Sequence, residues 1–217
     1  MPSSSGFGAR KAYLVAYNAA SAIAWATILG RVAVVLFWKG SPFVPLVVDR
    51  FARTTQTFAI MEIVHALTGV VPAPFFTTAM QVASRLVLMW GIAQPFPGLN
   101  ASLWYSGMLS AWATTEVIRY TYFALKQFDG GVPGWLHWLR YSAFLVLYPI
   151  GISSEVAMII KALIGPASTL AAWYPWALIT ILLSYIPGSV ILYSHMLKQR
   201  RKYIGGTGQA KETKKKQ

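Results

Sequence analysis

The chain has 217 residues, 56% of them hydrophobic and 12% charged, with 19 Lys/Arg against 6 Asp/Glu and a net charge of +13. A soluble domain carries roughly 25% charged residues, so the composition points to lipid as the main solvent, and the length suits one packed bundle. The charge does not mark a nucleic-acid binder: residues 198–217 alone hold eight Lys/Arg against one acid, Glu212, and a basic cluster just past an apolar segment is an anchor on anionic cytoplasmic lipid. The absence of cysteine excludes disulfides, thiolate metal sites and cysteine nucleophiles.

In chain order, the first apolar segment covers about residues 12–38, flanked by Arg10/Lys11 and Lys39. It is too long for the apolar core of a cleavable signal peptide, which runs about 7–15 residues, and is read as a spanning helix. The second covers 51–71, preceded by Asp49 and Arg50, and ends at Val71-Pro72-Ala73-Pro74, where proline removes a donor and clashes with the preceding turn. The third covers 75–93 and stops at Gln94-Pro95-Phe96-Pro97-Gly98; the fourth covers 103–125 and stops in the loop Asp129 to Gly134. The fifth covers 136–164 and the sixth 170–197, separated by Gly165-Pro166. The predicted fold class is an all-α integral membrane protein, one bundle of six transmembrane helices over residues 1–197 with a flexible basic cytosolic tail at 198–217. Six spans bring both termini to one side, and the excess of Lys/Arg at the ends makes that side cytosolic. Lys214-Lys215-Lys216-Gln217 also fits a dilysine retrieval signal of the endoplasmic reticulum, alongside the reading as a plain charge run.

Glu62, Glu116 and Glu155, three of the six acids, fall inside apolar spans, with His65, Arg85, Arg119 and Arg140. A charge at the bilayer centre costs on the order of 2.5–3.5 kcal/mol, so these groups should face the bundle interior and pair. Glu62 and His65 are three apart, Glu116 and Arg119 three apart, Gln81 and Arg85 four apart, each pair on one face of its helix. A helix-register role for Glu116–Arg119, a hydrogen-bonded core role for His65 and a positioning role for Arg85 with Gln81 stand beside the functional readings. His65, His137 and His195 fall in different segments, so no metal site is expected.

The fifth span carries the sharpest constellation. Tyr148 and Glu155 are seven residues apart, within about 20° of one stripe and about 10.5 Å apart along the axis; Tyr141 lies seven earlier on that stripe. Pro149 should kink the helix, and Gly151 removes bulk on the next turn. A kinked helix presenting a phenol and a carboxylate can form a pocket wall; a packed tyrosine and a glutamate neutralised by arginine is the alternative.

The blocks Gln56 to His65, Gln81 to Arg85, Trp112 to Tyr120, and Leu139-Arg140-Tyr141 through Tyr148-Pro149-Ile150-Gly151 to Glu155 resemble, in order and spacing, the very-long-chain (3R)-3-hydroxyacyl-CoA dehydratases, once called protein-tyrosine-phosphatase-like proteins. The likeness covers about residues 50–160 in motifs and nearly the whole chain in span count; Met61 and Phe58 are its conservative departures. It implies six spans in the endoplasmic reticulum membrane and loss of water from a very-long-chain 3-hydroxyacyl-CoA to give the trans-2-enoyl-CoA, without a cofactor. Its implied partners are the elongase, the 3-ketoacyl-CoA reductase and the trans-2-enoyl-CoA reductase of fatty acid elongation. The family's catalytic tyrosine and glutamate fall on Tyr148 and Glu155, and its supporting positions on Glu62, Gln81, Arg85, Glu116, Arg119, Arg140 and Gly151; His65, Tyr120 and Tyr141 are further candidates for a supporting or substrate-binding role. The phosphatase name cannot describe a cysteine-thiolate activity here.

Dehydration needs one group to take the C2 proton and another to protonate the hydroxyl leaving C3. Glu155 as base with Tyr148 as acid is one assignment, and the reverse stays open. Arg140 and Lys126 are candidates for contact with coenzyme A phosphates. A non-catalytic scaffold of the elongation enzymes and a proton-coupled transporter are the rival functions, since both would also bury acids.

Overall fold

A computed structural model describes residues 8–204, and within them every regular element is helical. Helix α1 is Ala9–Trp38, its 30 residues long enough, at about 1.5 Å each, to exceed a hydrocarbon layer about 30 Å thick. It ends at Gly40, whose φ of 86° is the left-handed conformation glycine adopts without strain, and a 3-10 turn at Ser41–Phe43 leads on. Helix α2 (Val44–Phe58) is broken at Ala59 from α3 (Ile60–Leu67). Helix α4 (Phe75–Leu86) runs on as a π-helical segment, Val87–Ala93, and a 3-10 turn at Pro97–Ala101 precedes α5 (Leu103–Leu125). Helices α6 (Gly134–Ser142) and α7 (Phe144–Ile164) are separated only at Ala143; the short α8 (Ala167–Leu170) leads to α9 (Tyr174–Ile204).

Helix α5 is the axis of the bundle. Its buried residues fall on every side, from Tyr105 through Met108, Leu109 and Trp112 to Glu116 and Tyr120. It packs most extensively against α1, then α7. Helix α1 meets it with one stripe, Leu14, Asn18, Trp25, Ile28 and Val32, which recurs at the three-to-four spacing of a helix face. Helix α2 does the same with Val44, Val48 and Ala52. Helix α9 buries only Tyr174 and Leu178 and leaves Leu183, Ile186, Val190 and Ile191 exposed, an outward apolar face suited to lipid. Tyr174 donates to the carbonyl of Gly91 in the π segment, and a β-carbon at Gly91 would sit 3.2 Å from that hydroxyl.

The ends of the elements gather in two groups. Arg10 donates to the carbonyl of Val70 at 3.1 Å and Lys11 lies 4.0 Å from Asp129, so the start of α1 and the loops after α3 and α5 share one end. The two 3-10 turns meet at the opposite end.

Four described segments are long and apolar enough to cross a membrane: α1, Phe75–Ala93, Gly134–Ile164 and α9. The predicted fourth span matches α5 in its limits but is less apolar, because protein rather than lipid surrounds it. Its Ser110, Thr114 and Thr115 hydroxyls are satisfied by carbonyls one turn back, each at 2.8 Å. The predicted second span, 51–71, is instead two helices that begin at Val44 and end at Leu67. Its Arg53 pairs with Asp49 at 2.9 Å, and Tyr105 of α5 donates to the same carboxylate at 2.7 Å. The sixth helix continues to Ile204, seven residues into the predicted tail. Helix α7 contains Pro149 within its length, and at its start the Val146 amide also bonds the Ala143 carbonyl three residues back, at 3.2 Å. The Lys214-Lys215 signal lies outside the described residues.

Candidate active site

Two polar assemblies meet around α5. The first is ionic. Arg119 donates both terminal nitrogens to Glu62, at 2.9 and 2.5 Å, and its Nε to Glu116 at 2.6 Å. Arg85 donates to the other oxygen of Glu116, and the Tyr120 hydroxyl donates to Glu62. Two carboxylates and two guanidiniums, from α3, α4 and α5, therefore neutralise one another through bidentate and shared contacts, the geometry that planar guanidinium favours. Glu116, 3% exposed, sits at the centre.

The second assembly surrounds Glu155. Trp112 Nε1 on α5 donates to one carboxylate oxygen at 2.7 Å, and the Tyr185 hydroxyl on α9 donates to the other at 2.7 Å. Both donors are neutral, and among the described residues no cation lies within ion-pair distance of Glu155. Tyr148 faces the same helix: its hydroxyl donates to the Ser189 carbonyl at 3.1 Å, and its ring lies 5.7 Å from that of Tyr193. The two assemblies touch through Arg85, whose guanidinium carbon lies 5.2 Å from the centre of the Trp112 ring.

Local sequence explains this placement. Tyr141, Tyr148 and Glu155, seven apart, all meet α9, Tyr141 by stacking on Tyr203 at 4.6 Å. Gly151 is buried and turned to α5, where a β-carbon would lie 3.7 Å from that of Ala111. At Gly107 on α5 a β-carbon would come within 2.9 Å of Ser154 Oγ, so the absence of a side chain there lets the two helices approach. That approach carries Trp112 onto Glu155.

The predicted residues divide accordingly. Glu62, Arg85, Glu116, Arg119 and Tyr120 form the ionic assembly. Glu116 and Arg119 pair as their spacing implies, whereas the other two spaced pairs do not form. Glu62 pairs with Arg119, while His65 Nε2 lies 2.7 Å from the Tyr13 hydroxyl, with Tyr17 packed edge-on at 4.9 Å. Gln81 is exposed and stands apart from Arg85, which has turned inward to Glu116. Arg140 lies over the Phe123 ring at 5.7 Å and joins neither assembly by an ion pair. Trp112 and Tyr185 had no role assigned from sequence. Trp112 lies four residues before Glu116, on the same face, which was a usable signal; Tyr185 on α9 had none, because only packing brings it to Glu155. Among the described residues no group of His, Asp and Glu side chains gathers in a way that would hold a metal ion.

A protein-family model described as "Protein tyrosine phosphatase-like protein, PTPLA" matches residues 56–206, which include both assemblies. The chain is 39% identical over 211 residues to the rice (Oryza sativa subsp. japonica) very-long-chain (3R)-3-hydroxyacyl-CoA dehydratase PASTICCINO 2B, covering 92% of this chain and 96% of that protein. It is 42% identical over 199 residues to the probable very-long-chain (3R)-3-hydroxyacyl-CoA dehydratase of Schizosaccharomyces pombe, covering 88% and 91%. It is 32% identical over 216 residues to human very-long-chain (3R)-3-hydroxyacyl-CoA dehydratase 2, covering 93% and 84%. No solved structure matches it. The motif blocks, the bundle that assembles them and these relatives place the chain in the protein tyrosine phosphatase-like (PTPLA) family.

Proposed function

We propose that this protein dehydrates very-long-chain 3-hydroxyacyl-CoA to the trans-2-enoyl-CoA, with Glu155 and Tyr148 as its acid/base pair. The relatives' names supply the reaction class, and the observation that carries the site is the setting of Glu155. It is an inward carboxylate held by two neutral donors, Trp112 and Tyr185, with no cation within ion-pair distance among the described residues. Glu116, locked between two arginines, is by contrast unsuited to taking a proton.

In this reading Glu155 removes the C2 proton, which the thioester carbonyl acidifies. The C–H electron pair becomes the new C2=C3 bond, and the C3–O bond breaks as Tyr148 protonates the departing hydroxyl, releasing water. Proton return from Glu155 to the tyrosinate resets the pair. Tyr148 donates to a backbone carbonyl at 3.1 Å, a bond it can exchange for the substrate hydroxyl. The ionic assembly acts behind it: Arg85 packs on Trp112 and so helps orient the indole that holds Glu155.

Six crossings with both termini cytosolic, a transmembrane unit over 1–197 with a basic tail, an endoplasmic reticulum location, and work beside the elongase and the two reductases of fatty acid elongation complete the proposal. The grouping of element ends supports the alternation of six crossings, and the partners follow from the reaction's place between a ketone reduction and an enoyl reduction.

The test is turnover of a 3-hydroxyacyl-CoA by the purified full chain, followed by mass spectrometry of the enoyl product. Glu155→Gln and Tyr148→Phe should each lose a factor of about 10²–10⁴, the usual worth of a positioned acid or base. Full activity in either variant, or no product from the wild type, would overturn the reading.

A further inference from the structure

Arg140 is the arginine that the ionic assembly leaves out. Arg85 and Arg119 share Glu116 and Glu62, and Arg53 has Asp49. Arg140 is half-buried, and among the described residues it has no carboxylate partner; its guanidinium lies over the face of Phe123. The charge of Arg119 repels it, and Glu116 is already shared by two other arginines. It lines a cavity of about 80 Å³ between α5, the α6–α7 junction and α9, whose other polar walls are Thr115, Tyr141 and Gln199. No acid contributes to the wall. At the junction Arg200 of α9 donates to Ser142 Oγ at 3.2 Å, which adds a second cation to the same neighbourhood. A void that admits one water needs only about 10–15 Å³, so this one has room for a compact polyatomic anion.

We propose that this cavity is an anion site that holds a phosphoryl group of an amphiphilic ligand. A guanidinium without a carboxylate partner presents a planar fork of donors that fits phosphate oxygens, and binding there would supply the counter-charge that the described residues do not. Coenzyme A and a phospholipid can both furnish the phosphate. The coenzyme A assignment rests on the dehydratase reading, and the layout fits it. Phe144 on the cavity wall packs on Tyr193 at 5.7 Å, and Tyr193 packs on Tyr148 at 5.7 Å, so a continuous α7–α9 seam joins cavity to candidate catalytic pair. Tyr148 lies eight residues beyond Arg140 and Glu155 fifteen, about 12 and 22 Å along the helix axis. That interval is the kind the extended pantetheine arm spans between thioester and phosphates. A largely apolar groove of about 420 Å³ on the α1 side of the same junction shares Ile118, Ala143 and Leu147 with the cavity, and there a phospholipid tail would lie.

The experiment uses the purified full chain in detergent. Binding of coenzyme A itself, by calorimetry, should weaken about tenfold or more in Arg140→Gln and less in Arg140→Lys, the scale of one charge-assisted contact. Gln199→Leu, on α9, provides a second variant of the same cavity and should weaken binding in the same direction while melting like the wild type. In turnover, Arg140→Gln should raise KM for a 3-hydroxyacyl-CoA and leave KM for the matching 3-hydroxyacyl-pantetheine thioester unchanged. If coenzyme A does not bind but phospholipid copurifies with the wild type and is lost from Arg140→Gln, the phosphoryl group belongs to lipid. Coenzyme A binding and lipid content both unchanged in Arg140→Gln would overturn the site. Arg140-dependent coenzyme A binding in a chain with no turnover would instead uphold the site and sink the dehydratase reading.

Discussion

Glu62, Glu116 and Glu155 are carboxylates in one bundle, yet their partners set them apart. Glu116 accepts from two guanidiniums, and Glu116→Gln leaves Arg85 without a counter-ion. Removing one member of a buried ion pair costs about 3–5 kcal/mol, so this variant should unfold at clearly lower temperature or denaturant in detergent. Glu155 depends on neutral donors, and the expected phenotype of losing one is kinetic. Tyr185→Phe keeps the ring and removes only the hydroxyl bond to the carboxylate. A hydrogen bond to a charged group is worth about 1.5–3 kcal/mol, so kcat should drop roughly ten- to hundredfold with KM and melting temperature close to wild type. An unchanged kcat would remove Tyr185 from the site.

At the scale of elements, the contact of α5 with α7 decides whether Trp112 reaches Glu155. Small residues make that contact: Gly107 against Ser154, and Gly151 against Ala111. Gly107→Leu must push Ser154 and its helix away, an overpacking that costs about 1–3 kcal/mol. Activity should fall further than stability does, because a small displacement breaks the Trp112 bond before the bundle opens. Parallel measurement of turnover and thermal unfolding checks this, and equal losses in both would show that the interface serves stability alone. The break at Ala143 belongs to this scale too. It lies between Arg140 and Tyr148, and both the cavity and the apolar groove are lined by Ala143 itself.

For the whole molecule, the testable quantity is topology. The chain has no cysteine, so each introduced thiol is a clean reporter. In sealed microsomes, Gly130→Cys should react with a membrane-impermeant thiol reagent added outside, as should a cysteine at the C-terminus. Ser41→Cys and Gly98→Cys should react only after the membrane is opened. Labelling of Gly98→Cys from outside would show that fewer than six segments cross. The charge layout follows the same axis: the basic end of α9 meets the α6–α7 junction at Ser142, two residues from Arg140, so cations gather at that end of the bundle.

Most of the helix limits were legible in the sequence, because a helix stops where Pro, Gly or a polar run stops it, and those signals are local. The 75–93 and 103–125 segments and the Glu116–Arg119 pair are of this kind, since three residues on one helix fix their own geometry. The common direction of Tyr141, Tyr148 and Glu155 follows equally from a spacing of seven. Partner choice between helices is different. Spacing sets the direction a side chain takes on its own helix, but which helix stands opposite depends on how all the faces pack. Only the tertiary structure therefore pairs Glu62 with Arg119 rather than His65, and turns Arg85 to Glu116 rather than Gln81. It likewise brings Trp112 and Tyr185 onto Glu155 and leaves Arg140 at a cavity without a carboxylate partner among the described residues, because these contacts join residues that lie 30 or more positions apart or come from three different helices.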